Sequence, residues 1–119
     1  MNIEVHQKGD VKIVEVTSEN ILINNTEEGL QLLADLYYQD SDRIIIHEKN
    51  LTPEFFDLQN GIAGEILQKF SNYRVRLAII GDFSKYTRKS MTDFIRESNR
   101  GRQINFLESV DQAIEKLSA

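Results

Sequence analysis

Apolar positions in this chain fall into two kinds of pattern. Ile44, Ile45 and Ile46 are consecutive β-branched residues without alternation, within Arg43 to His47, and Val75 to Ile80 has the same character after Arg76. Such runs suit strands buried on both faces, as in a parallel sheet covered by helices. Between them Phe55, Leu58, Ile62, Ile66 and Phe70 recur every three or four residues, with Ala63 and Leu67 beside them. That is the stripe of a helix lying on a sheet. Thr52 as N-cap, Pro53 at the first helical position and Glu54 at the positive end of the dipole predict a start at Pro53. Gly61 and Gly64 each weaken a helix by about 1 kcal/mol relative to Ala. They either admit close packing or mark a break near Asn60.

The flanking segments complete the pattern. Asn2 to Gln7 and Val11 to Val16 predict a hairpin, with Lys8-Gly9-Asp10 as its turn. Ile21-Leu22-Ile23 is long enough only for a brief strand. Asn25 with Glu28 has capping-box spacing and opens a helix whose inward face is Leu30, Leu33, Ala34 and Tyr37. Ser90 with Asp93 predicts a helix over Met91 to Ser98, stopped by Gly101. Ile104 to Phe106 is a short strand. Ser109 with Gln112 then caps a last helix bearing Val110, Ala113, Ile114 and Leu117 at i, i+3, i+4 and i+7. The order β-β-α-β-α-β-α-β-α predicts a single α/β domain over residues 1–119, with a mostly parallel sheet and an antiparallel N-terminal hairpin strand.

Composition removes several classes of function. A net charge of −5 argues against nucleic acid and anionic membranes as partners. The absence of cysteine excludes disulfides and thiolate chemistry and favours a reducing compartment. The start, Met1-Asn2-Ile3-Glu4, has no basic segment followed by an apolar core, so no secretory signal and a cytoplasmic location are expected. No apolar run reaches membrane-spanning length. Two histidines far apart in sequence offer little for zinc, so no metal and no cofactor is expected.

The run Phe55-Phe56-Asp57-Leu58-Gln59-Asn60-Gly61-Ile62-Ala63-Gly64-Glu65-Ile66-Leu67-Gln68-Lys69-Phe70, followed by Leu77 to Tyr86, closely resembles a small bacterial family catalogued as domain of unknown function 4180. The likeness spans nearly the whole chain and implies no assigned activity. More distantly, the layout resembles the anti-sigma-factor-antagonist (STAS) fold. In that family a partner kinase phosphorylates a serine at an Asp-Ser-Ser-Gly-type turn. Asp57 and Gly61 could occupy corresponding places, but Leu58 and Gln59 stand where the serines would be, so the resemblance does not extend to a serine switch.

In open α/β sheets, ligands bind beyond the carboxyl ends of the strands. Those ends offer Glu48 after one strand and Asp82, Lys85 and Tyr86 after another. His47 with Glu48 and Asp82 could form an acid/base pair or a weak metal site, but no catalytic motif is present. Six of the fourteen basic residues, Lys85, Arg88, Lys89, Arg96, Arg100 and Arg102, fall within eighteen positions. Next to a helix start at Ser90 they could hold a small anion. Glu48, Asp82, Lys85, Arg88 and Ser90 are thus the candidate ligand set. Tyr38 and Tyr86 fall off the apolar stripes and, with Asp57, are candidate partner contacts. The expected function is a non-enzymatic, regulatory, protein-binding domain. The rival is a small-molecule or anion-binding protein, and in that case the carboxyl edge could serve an enzyme.

Overall fold

The computed structural model describes residues 1–119. The elements are β1 (Asn2–Lys8), β2 (Val11–Thr17), α1 (Thr26–Tyr37), β3 (Arg43–His47), α2 (Ile62–Asn72), β4 (Arg76–Ile80), α3 (Lys89–Arg100), β5 (Ile104–Leu107) and α4 (Val110–Ser118). The sheet runs β1-β2-β3-β4-β5 in space, with β1 antiparallel to β2 and the other pairs parallel. This is the expected α/β domain with its antiparallel hairpin strand.

Because the strand order never reverses, three crossovers of one hand put all their helices on the same face. Leu33 and Leu36 of α1, Ile66 and Phe70 of α2 and Met91 of α3 indeed share one core with Val14, Val16, Ile44, Ile46, Leu77 and Ile79. The opposite face has α4 alone, whose Ala113 and Leu117 cover Ile13, Ile45, Ala78 and Ile80. Alternate residues of each strand serve the two faces.

Two contacts set the helix positions. Gly29 lets α1 approach α2, since a Cβ there would lie 2.5 Å from Ile66 Cδ1. The carboxyl end of α4 is held by arginines. Arg76 donates to the carbonyls of Lys116 at 2.9 Å and Ala119 at 3.1 Å, Arg102 donates to Ala119 at 2.6 Å, and Arg43 donates to Leu117. Cations at that end complement the helix dipole and its unpaired carbonyls.

Three details differ from the sequence expectation. First, Pro53 opens a short 3₁₀ turn (Pro53–Phe56) that Thr52 caps through Glu54 N at 3.4 Å, and the α-helix begins only at Ile62. Gly61 adopts φ +81°, a left-handed conformation suited to glycine. Asn60 Oδ1 takes the Ile62 N–H at 3.0 Å while its amide donates to Glu54 O at 2.7 Å. The polar side chain thus satisfies the break.

Second, α3 begins at Lys89, after an Arg88 that makes no side-chain cap. Ser90 lies exposed in the first turn, and its expected partner Asp93 instead bonds Lys89 at 2.6 Å and Arg96 at 2.8 Å. Third, α1 buries Leu32, Leu33 and Leu36, while Leu30 and Ala34 are half-buried and Tyr37 is exposed. Apolar residues cover more than one face of this helix, and the sheet takes only one of them.

Candidate functional site

At the carboxyl edge, Glu48 follows β3 directly and Tyr86 ends the 3₁₀ turn after β4. Gly81 makes room for Glu48, as a Cβ there would lie 2.6 Å from its Oε1. Glu48 Oε2 accepts from the Tyr86 hydroxyl and lies 2.8 Å from Lys85 Nζ. The Tyr86 ring stacks on Phe56, with centroids 4.6 Å apart and planes 17° apart. Burial, then the neighbouring Glu48 carboxylate, pushes the Tyr86 phenol well above its usual pKa. It is therefore a hydrogen-bond donor, not a base.

Asp82 accepts from Ser84 Oγ at 2.6 Å and Ser84 N at 3.1 Å, and these bonds lower its pKa. Arg88 lies 3.7 Å from Asp57, which also caps Gln59 N at 3.3 Å. Phe56, Lys85 and Tyr86 line a shallow depression of about 380 Å³ beside Glu48.

The structure therefore joins Glu48 with Lys85 and Tyr86, and Asp57 with Arg88. Ser90 makes no bond to this cluster. His47 turns away from Glu48 and Asp82 toward Glu15. Each member of the basic cluster already has a partner: Lys85 has Glu48, Arg88 has Asp57, Lys89 and Arg96 share Asp93, Arg100 has Glu97 at 3.2 Å, and Arg102 holds the end of α4.

Tyr38 lies at the other end of the molecule. Helix α1 returns from the carboxyl end of β2 to the amino end of β3, so Tyr37 and Tyr38 stand where the strands begin. Tyr73, at the end of α2, joins them, with its ring centroid 5.1 Å from that of Tyr37. Tyr38 is 85% exposed, and Tyr73 and Tyr37 are 49% and 43% exposed. Together with Leu30, Leu33, Ala34 and Lys69 they line a groove of about 250 Å³ between α1 and α2. Asp40 and Asp42 border the Tyr37–Tyr38 side.

A third cluster lies on the α4 face of the sheet. Register pairs Glu4 with Glu15 and His6 with Ile13 across the hairpin. Parallel pairing sets Glu15 beside Ile45, so His47, two residues on, shares its face. Glu15 Oε1 lies 2.8 Å from His6 Nε2, and Oε2 lies 2.6 Å from His47 Nε2. The Glu15 side chain is only 8% exposed. Burial acts to raise its pKa, but the bonds and charges of His47 and His6 together outweigh that and hold it below the usual carboxylate value. Donor atoms of Glu4, His6 and Glu15 all lie within 4.8 Å of one another, the one such His/Asp/Glu group in the molecule.

The matching family is described as a domain of unknown function (DUF4180), and the match covers residues 8–117. The chain belongs to this family. No curated protein and no solved structure matches it. The DUF4180 match takes in β2 through most of α4, so it includes Glu15, His47, the tyrosine groove and the carboxyl edge. Glu4 and His6, on β1, lie outside it. No helix of this DUF4180 chain is long and apolar enough to cross a membrane.

Sequence reasoning passed over Glu15 and His6. The available signal was Glu15 itself, a charge set among Ile13, Val14 and Val16 where a buried strand has no free place for one.

Proposed function

We propose that this chain is a protein-binding regulatory domain whose docking surface is the groove between α1 and α2. The exposure of Tyr37, Tyr38 and Tyr73 over an apolar groove carries this reading. Tyrosine supplies large contact area at low entropic cost and is enriched at interface hot spots. The occupant is an apolar segment of a partner protein that bears arginine or lysine. Asp40 and Asp42 stand beside the tyrosines in a chain of net charge −5, and exposed aromatic faces attract cations. The resemblance of the element order to that of the anti-sigma-factor antagonists, which act by binding partner proteins, is the reason for reading the role as regulatory. An anion at the carboxyl edge has less support, because each cation there already faces a carboxylate.

Selection of displayed peptides against the folded chain tests this. Enrichment of apolar, basic sequences that bind wild type and lose at least about tenfold in affinity to Tyr38→Ser or Tyr73→Ser would support it. Peptides that bind both variants as well as wild type would overturn it. So would a wild-type dimer in solution that Tyr38→Ser dissolves, since the occupant would then be a second copy.

A further inference from the structure

We propose that Glu4, His6 and Glu15 form a binding site for a divalent first-row transition ion, with zinc the best match, and that His47 orients the Glu15 carboxylate. The site is independent of the tyrosine groove. Its donors are one imidazole nitrogen and two carboxylates, a mixed set that suits zinc, cobalt or manganese better than magnesium or calcium. Two carboxylates balance the charge of the ion. Three protein ligands would leave the remaining positions to solvent.

The geometry needs little change. Tetrahedral ligands at zinc distances lie about 3.3 Å apart. His6 and Glu15, now at 2.8 Å, need only part slightly, and Glu4 needs to close in from within 4.8 Å. Glu4 is on the exposed edge strand and is free to do so. An ionised carboxylate only accepts hydrogen bonds, so the Nε2 atoms facing Glu15 are N–H donors. Coordination through His6 Nε2 therefore needs the other tautomer: the Nε2 proton leaves to solvent, Nδ1 takes one up, and the Nε2 lone pair turns toward the ion. His47 keeps its bond to Glu15 Oε2 while Oε1 becomes the ligand. Outer hydrogen bonds of this type fix a ligand's orientation and strengthen the site. His6 and His47 are half-buried at the surface of the sheet, so an ion can enter from solvent.

The test is calorimetric titration of chelator-stripped full-length chain with zinc chloride, repeated with cobalt, manganese and magnesium. The expected result is one zinc ion per chain, with weaker binding as pH falls because protons compete for the ligand atoms. Cobalt should bind with a visible absorption band, and magnesium should not bind. Glu4→Gln and His6→Gln should each weaken zinc at least about tenfold, and His47→Gln about tenfold to a hundredfold through Glu15 alone. Glu4 is exposed on an edge strand, so Glu4→Gln keeps the fold and remains informative if His6→Gln is damaged. Absence of saturable zinc binding up to about 1 mM, an affinity of only ~4 kcal/mol, would overturn the proposal. So would loss in both histidine variants with none in Glu4→Gln, which would reveal a simple two-histidine surface clip. Tyr38→Ser should leave zinc affinity unchanged.

Discussion

The two faces of the sheet are made by the same five strands, yet one is almost wholly apolar and the other carries a buried carboxylate between two histidines. The apolar face joins 21 buried residues into one cluster, whereas the α4 face joins six, so what differs is the covering layer. Sequential strand order commits α1, α2 and α3 to one side. Helix α4, with nine residues, is about 13 Å long. Five strands span about 19 Å between their outer axes. That single helix leaves Glu4 exposed and His6 and His47 half-buried, and these residues with Glu15 occupy strand positions beside the six-residue core. Topology decides here where polar chemistry can live.

The largest expected effect belongs to the crowded face. Ile66 is fully buried between the sheet and Gly29 of α1. Ile66→Ala should cost about 2–5 kcal/mol in denaturant unfolding, the range for a buried aliphatic truncated to alanine. A loss below about 0.5 kcal/mol would mean that α2 does not depend on this side chain, and the contrast between the faces would collapse.

How much of this was legible depended on the range of the interaction. The unbroken Ile44–Ile46 run named β3 to the residue, and the Val110, Ala113, Ile114 and Leu117 spacing named α4. Both are local patterns. The break at Gly61 was left open because a left-handed glycine and a close-packed one look alike in sequence. The inward face of α1 is ambiguous in sequence because apolar residues circle more than half of the helix, and only the position of α2 decides which of them face the sheet. Tyr37 fits a core position in the sequence pattern for that reason, yet stands exposed. The histidine–glutamate cluster was illegible because it joins β1, β2 and β3, and Glu15 and His47 are 32 residues apart. Strand register brings them together, and no short pattern encodes it. At the carboxyl edge, the residue types were legible but their mutual pairing was not.

Glu15→Gln should have a smaller effect than Ile66→Ala and, unlike it, one that depends on pH. The bonds from His6 and His47 hold the folded-state pKa of Glu15 below its ordinary value near 4.5. The stability they confer is full above that ordinary value and is lost as pH falls through the lower folded-state pKa. At neutral pH the substitution should cost about 1–3 kcal/mol, the scale of hydrogen bonds to a charged group. Below the folded-state pKa the two proteins should converge. Thermal midpoints measured across pH for both would show this. Parallel curves would mean that Glu15 is not held as a carboxylate by the histidines, and the polar corner would then be ordinary surface.

The smallest effect should come from Arg88→Ala, and it sharpens the contrast by removing a carboxylate's partner where both side chains are exposed. Arg88 and Asp57 form an opposite-charge pair, at 3.7 Å, and their side chains are more than half exposed. Water screens such a pair, and ordering two flexible side chains offsets most of the attraction, so the loss should be within about 0.5 kcal/mol. It should shrink further in high salt, because exposed charges are screened while buried ones are screened much less. Chemical denaturation of Arg88→Ala at two ionic strengths, beside Glu15→Gln, would read both terms. A loss above about 1 kcal/mol for Arg88→Ala would show that the Asp57 turn depends on this pair, and the carboxyl edge would then be a built structural feature instead of a solvated rim.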